Sequence, residues 1–226
     1  MTNKKNKRGV LVGVEGISGA GKTSLCNAMK QRYEVLNEQV LLLGGFEVHP
    51  YSSPITALCR DLVTTTRFVG LPWLAEVHLL LAEMLHDIES LMIPSMEKGE
   101  IVLVDGYLDS FLAYEGARIV RHRPEKSTLM RDYLRQVVNM VCSIGRIPVC
   151  DCVVYIECKV DTSKARLERR DSLAMSGEDL ALQMEIGRQY DALFAGRSIL
   201  RIQNDDECSL EDNARVSAEY VDSFRC

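Results

Sequence analysis

The residues of this 226-residue chain best suited to chemistry form one run, Gly16-Ile17-Ser18-Gly19-Ala20-Gly21-Lys22-Thr23. Glycines at this spacing let a backbone curl tightly and aim its N–H groups inward at phosphate oxygens. Lys22 brings a point charge to the terminal phosphates of a nucleotide, and Thr23 brings a hydroxyl to Mg²⁺. The stretch from Ser24 to Tyr33 reads as a helix, whose N-terminal dipole favours the same anions. Gly16, Ser18, Gly19, Ala20, Gly21, Lys22, Thr23 and Ser24 are therefore the expected cradle for the phosphates of ATP. A second chemical feature is Asp105, which closes the apolar run Ile101-Val102-Leu103-Val104. A carboxylate at the carboxyl edge of a strand is placed to hold Mg²⁺ beside such a loop.

Phosphoryl transfer spreads negative charge over equatorial oxygens, so a cation beyond Lys22 is expected. Arg166, Arg169 and Arg170 follow Val160-Asp161-Thr162-Ser163, a helix start with Asp or Thr as its cap. Arg166 and Arg170 stand one turn apart and can share a face. The polar stretch Asp171 to Asp179 is expected to be mobile, giving a short lid over about residues 166–180.

Short β-branched runs alternating with helical patterns must position these groups. Strands are expected at Val10–Val14, Val40–Leu43, Ile101–Val104, Cys152–Ile156 and Ile199–Ile202. The clearest helical face carries Leu74, Val77, Leu81, Met84, Leu85, Ile88 and Met92. Strands apolar almost throughout, separated by helices, imply an α/β fold with a parallel sheet covered on both faces. No repeat or composition break divides the chain, so a single domain over residues 1–226 is expected, with 1–8 a solvated basic tail. Hydrophobic residues at 46% and charged residues at 26% are the proportions of a soluble globular protein. The net charge of −5 gives no global reason to expect nucleic acid or an anionic membrane as a partner. With no apolar run of spanning length, the expected location is the cytoplasm. The eight cysteines have neither metal nor disulfide spacing and read as reduced thiols.

From Val14 onward the chain resembles the thymidylate kinase family. Val14-Glu15-Gly16-Ile17-Ser18-Gly19-Ala20-Gly21-Lys22-Thr23 is similar to its phosphate loop, where a glutamate precedes the first glycine. Asp105-Gly106-Tyr107-Leu108-Asp109-Ser110-Phe111-Leu112-Ala113-Tyr114-Glu115-Gly116 looks like its Asp-Arg-Tyr…Ser…Ala-Tyr-Gln-Gly segment. Pro148 to Arg170 and Ile199 to Asp205 resemble the strands and arginines that follow. The resemblance implies a five-stranded parallel sheet in the nucleoside-monophosphate kinase arrangement, ATP with Mg²⁺, and a homodimer. It also implies an arginine from the lid where the loop has none, and an acceptor pocket lined by Ser110 and Tyr114.

The chain departs from the family in the acceptor half. Val48, Met84 and Gly106 stand where the family carries arginines, and Ser18 stands where it carries an aspartate. Arg60 is the basic residue that survives at a matching place. Phe46 and Tyr107 are candidates to stack on a base, with Met84 shaping the pocket. Losing guanidiniums removes the bidentate donors that a phosphate dianion needs. One expectation is transfer to a nucleoside monophosphate, dTMP or a relative, with Arg60 and relocated cations. Another is transfer to an uncharged alcohol, whose proton must leave to a carboxylate, Glu47 or Asp105. A non-catalytic nucleotide-binding regulator is the third.

Overall fold

The computed structural model describes residues 9–44, 54–59, 72–145, 147–205 and 207–225. Its centre is a strand, β1 (Val10–Glu15), buried along its whole length. β1 pairs in parallel with β3 (Ile101–Asp105) on one side and β4 (Cys152–Glu157) on the other. β2 (Val40–Gly44) and β5 (Leu200–Gln203) complete a five-stranded sheet in the order β2-β3-β1-β4-β5. The expected strands all appear, each shifted or lengthened by a residue at an end. Residues apolar on both faces could settle only in a sheet covered on both sides.

Alternation along the strands feeds two separate cores. Val10, Val12 and Val14 of β1, with Ile101 and Leu103 of β3, pack against α1 (Lys22–Val35) and its Leu25, Met29 and Tyr33. Helices α8 (Gly177–Phe194) and α9 (Leu210–Asp222) contribute to the same core. Leu11, Val102 and Val104 point the other way, toward Ile88, Met92, Tyr107 and Ile147. A third cluster joins α3 (Trp73–Asp87), α5 (Leu108–His122) and α6 (Ser127–Gly145) through Val77, Phe111, Ile119, Leu134 and Val138. Residues 54–59 form a short helix, α2.

The long helix expected through Met92 differs from the one found. α3 stops at Asp87, a π-helical turn covers Ile88–Met92, and α4 runs from Ile93 to Glu97. Pro94 has no N–H to return to the carbonyl four residues back, and the widened turn before it keeps Ile88 and Met92 both buried. Leu74, expected on the buried face, is 50% exposed at the first turn of α3.

The expected lid is largely helical. Residues 166–171 are the last turns of α7 (Val160–Asp171), and α8 begins at Gly177. A capping box sharpens that second start: Asp179 N donates to Ser176 Oγ at 3.1 Å, and Ser176 N to Asp179 Oδ2 at 3.0 Å. Arg197, past α8, grips Asp109 on α5 with two hydrogen bonds of 2.7 and 3.0 Å. Thus α8 is fixed at both ends, and its Tyr190 is held under the loop that follows β1. No described helix is long and apolar enough to cross a membrane.

Candidate active site

β1 ends at the point where the strand order reverses, with β2 reached on one side and β4 on the other, and open α/β sheets form a binding crevice there. The loop from Gly16 to Gly21 fills it and runs directly into α1 at Lys22. Gly21 has φ 101°, a left-handed conformation costly to any side chain, and the Asn204 amide occupies the space a Cβ would need. That amide donates to Ala20 O at 2.6 Å, and Ser163 Oγ of α7 donates to Ser18 O at 2.6 Å. Arg166 Nη1 adds a longer contact of 3.5 Å to Ala20 O. With its carbonyls satisfied from α7 and from the end of β5, the loop is held in a shape that reserves amides for an anion.

Lys22 Nζ lies inside this curve and donates to Gly16 O at 2.9 Å and Ile17 O at 3.1 Å. Burial works against its charge, but Tyr114, Asp105 and Glu15 outweigh burial and raise it above an ordinary lysine. Thr23 Oγ1 donates to Asp105 Oδ2, so the two residues expected to hold Mg²⁺ meet beside the loop. A hydroxyl and a carboxylate are hard oxygen donors, a set that suits Mg²⁺ completed by phosphate oxygens and water. Gly44 at the end of β2 makes room for this aspartate, since a Cβ there would stand 2.8 Å from Asp105 Cβ.

Glu15 sits beneath the loop with no exposure. Tyr107 N donates to its Oε1 at 3.0 Å, and Ser110 Oγ and Tyr190 OH donate to Oε2. Burial, reinforced by Asp109, pushes this carboxyl up to about 7, against the opposing pull of Ser110, Tyr107 N–H and Lys22. Sequence reasoning noted Glu15 only as part of the loop pattern. Its partners lie on α5 and α8, so it ties both helices to the base of the phosphate site.

A cleft of about 1250 Å³ extends from the loop, across Asp105, to α3 and α5. Its described basic residues are Lys22 of the loop and Arg166, Arg169 and Arg170 of α7. Arg170 is clasped by the neighbouring Asp171 at 2.7 Å. Tyr114 reaches from α5 to share a 3.0 Å hydrogen bond with Ser18 Oγ, closing the floor between the two ends. Met84 lines the far end. Ser110 also faces the cleft, but its hydroxyl is engaged by Glu15 and, at 2.6 Å, by Tyr190.

Tyr107 is a correction. Expected to stack on a base, it is 2% exposed, packs with Leu11 and Val102, and donates its hydroxyl to Pro148 O at 3.0 Å. It is core beneath the cleft, since an aromatic just past a central strand is drawn into the layer that covers the sheet. Phe46, Glu47, Val48 and Arg60 lie outside the described residues. Gly106, where the resemblance led to the expectation of an arginine, has φ 80°, a backbone conformation that disfavours any side chain.

The far end also holds residues that sequence reasoning missed: Glu76, Glu83 and Asp87 of α3, and Glu115 of α5. The three on α3 follow helical spacing, the signal that would have placed them on one face. Arg118 does not line the cleft. It is 7% exposed and turns its guanidinium onto Glu76, with Nη2 to Oε2 at 2.6 Å, and onto Glu115 at 3.3 Å. Burial, with Asp87 adding, pushes Glu83 up to about 7; burial does the same to Glu115 despite Arg118.

A parallel sheet in this order, with a phosphate loop at the carboxyl end of its central strand and an arginine-bearing helix over it, defines a P-loop kinase fold. The chain belongs to the thymidylate kinase family, whose family model, Thymidylate kinase, matches residues 14–213. It is 35% identical over 117 residues to the thymidylate kinase of Xanthomonas campestris pv. campestris, covering 52% of this chain and 48% of that one. It is 29% identical over 162 residues to the Mesoplasma florum thymidylate kinase, covering 71% and 69%. A probable thymidylate kinase of Pyrococcus abyssi is 27% identical over 200 residues, covering 87% and 88%. The chain thus matches about half the length of the Xanthomonas relative and most of the Pyrococcus one.

Proposed function

We propose that this chain is an ATP-dependent phosphotransferase, carrying the γ-phosphoryl group of ATP to a small acceptor bound in the same cleft. The observation that carries the reading is the convergence of Lys22, the Thr23–Asp105 pair and the arginines of α7 on one side of that cleft. An acceptor oxygen attacks the γ-phosphorus, the bond to the β,γ-bridging oxygen breaks, and the electron pair leaves with ADP. Lys22 neutralises the terminal phosphates while the loop amides fix their position. Arg166, Arg169 and Arg170 stand where charge develops on the transferred group. Mg²⁺, held by Thr23 and Asp105, supplies charge neutralisation on the phosphates when bound.

The names of the relatives put dTMP first among acceptors to test, and the family resemblance makes a homodimer the assembly to look for. An acceptor phosphate oxygen is already ionised and needs no base. The second reading, an acceptor hydroxyl, is favoured by a specific observation: the described side chains at the far end of the cleft bring carboxylates rather than guanidiniums. The test is ADP release from ATP and Mg²⁺ against nucleoside monophosphates and nucleosides, beside Lys22→Ala. Fast turnover of dTMP defeats the hydroxyl reading. ATP affinity unchanged in Lys22→Ala, with no acceptor-dependent release in the parent protein, defeats the kinase reading.

A further inference from the structure

We propose that Glu15 is a positioning residue for nucleotide binding, setting both the Gly16 carbonyl on which Lys22 rests and the turn that presents Asp105. This rests on the phosphotransferase reading and deepens it at the donor end of the cleft. Glu15 is the last residue of β1 and is fully buried, so it acts through its neighbours rather than on a bound phosphate. Its carboxylate sends one arm toward the metal side of the site and another toward the lysine.

The first arm continues the pairing of β1 with β3 past the end of the strands. Val14 is in register with Asp105, and Gly106 N donates to Val14 O at 3.0 Å. The next rung is a side chain: Tyr107 N donates to Glu15 Oε1 at 3.0 Å. It falls where the chain leaves β3 through Gly106 in a left-handed conformation, φ 80°. Asp105 lies just ahead of that turn and meets Thr23 beside the loop. The Glu15 rung therefore helps to fix where the metal-side carboxylate stands.

The second arm runs through Ser110 and Tyr190. Ser110 Oγ donates to Glu15 Oε2 and stands 2.6 Å from Tyr190 OH, which lies 3.3 Å from both Oε2 and Gly16 O. Tyr190 is held firmly, with its ring stacked on Phe194 and tilted against Tyr155. Gly16 O also receives Lys22 Nζ at 2.9 Å and Tyr114 OH at 3.4 Å. An ionised carboxylate only accepts, so it draws the protons of Ser110 and Tyr190 toward itself and leaves Gly16 O to Lys22. A side-chain amide in its place turns a donor toward Ser110, which reverses the chain and sends the Tyr190 proton to Gly16 O, in competition with Lys22. Burial pushes Glu15 up to about 7, so its charge costs the fold rather than stabilising it. What the charge supplies is the alignment of the loop.

The two arms can be read separately without an acceptor. Calorimetry with AMPPNP, a non-hydrolysable ATP analogue, and Mg²⁺ reads the lysine side, and electron paramagnetic resonance of Mn²⁺ at saturating AMPPNP reads the Asp105 side. Glu15→Gln keeps an oxygen for Tyr107 N–H and loses the acceptor for Ser110 and Tyr190. At pH 8 it should raise the dissociation constant for AMPPNP by about fivefold to twentyfold, with Mn²⁺ affinity within about twofold of the parent. Its melting temperature should be no lower than the parent's, because a buried charge has been removed. Adding Tyr190→Phe should cost no further affinity, since both changes act on one chain. Glu15→Ala loses both arms and should weaken Mn²⁺ as well; if it fails to fold, Glu15→Gln and Tyr190→Phe carry the test. Unchanged AMPPNP affinity in Glu15→Gln, a parallel loss of Mn²⁺ affinity there, or a loss that follows a lower melting temperature overturns the proposal and leaves the donor reading standing. A parent protein that does not bind AMPPNP overturns both.

Discussion

At the residue scale, the donor half was legible in the sequence because phosphate binding needs a contiguous stretch: glycines, a lysine and a hydroxyl within a few positions. The far end of the cleft was not, because its wall is assembled from α3 and α5, and only packing decides which carboxylates of those helices meet. Arg118 shows the limit. Bidentate capture by Glu76 makes it a buried counter-ion, which only the packing of α3 on α5 reveals. For the arginines of α7 the expectation is sharper. Arg166→Ala or Arg170→Ala should lower kcat by about a hundredfold or more with little change in ATP affinity, because the missing charge acts mainly in the transition state. Stopped-flow turnover and equilibrium ATP titration check this, and unchanged kcat in both variants would place the charge elsewhere.

At the scale of elements, β1, β3 and β4 could be read because both their faces are apolar, whereas β5 showed as an alternation, with Leu200 and Ile202 facing inward and Arg201 and Gln203 exposed. The boundary of α3 was misread, since apolar spacing continues smoothly through Met92 while the backbone widens ahead of Pro94. Phosphate-loop geometry likewise depends on elements far away in the chain. Asn204→Ala removes the 2.6 Å hydrogen bond to Ala20 O, and the dissociation constant for ATP should rise about fivefold. The melting temperature should move little, because the bond shapes a surface loop rather than the core. A calorimetric titration beside a thermal melt separates the two, and equal ATP affinity would show that Asn204 does not shape the loop.

For the whole molecule, three buried carboxyls, Glu15, Glu83 and Glu115, are each raised from about 4.5 to about 7 in the folded state. Folding therefore favours their protonated forms. The contribution is fully present below about 4.5 and is lost as pH rises through about 7. Glu83→Gln removes one such group, so the fall in melting temperature from about pH 5 to about pH 8 should be several degrees smaller than in the parent. Parallel pH profiles of parent and variant would refute this. The fold class was legible from the alternation of strands and helices, but this electrostatic load was not, because only tertiary burial creates it.

The grip of Ser163 and Asn204 on the carbonyls of the phosphate loop also has a consequence for synthesis on the ribosome. The loop leaves the exit tunnel ahead of the groups that shape it, which follow 145 and 184 residues after the carbonyls they hold. A nascent chain stalled before β4 contains the complete glycine-lysine-threonine pattern and lacks a strand that flanks β1. Such a chain should not be retained on immobilised ATP, whereas one released past residue 222 should be. Nucleotide capture then marks completion of the fold, and ATP acts as a late ligand that favours finished molecules over partial ones.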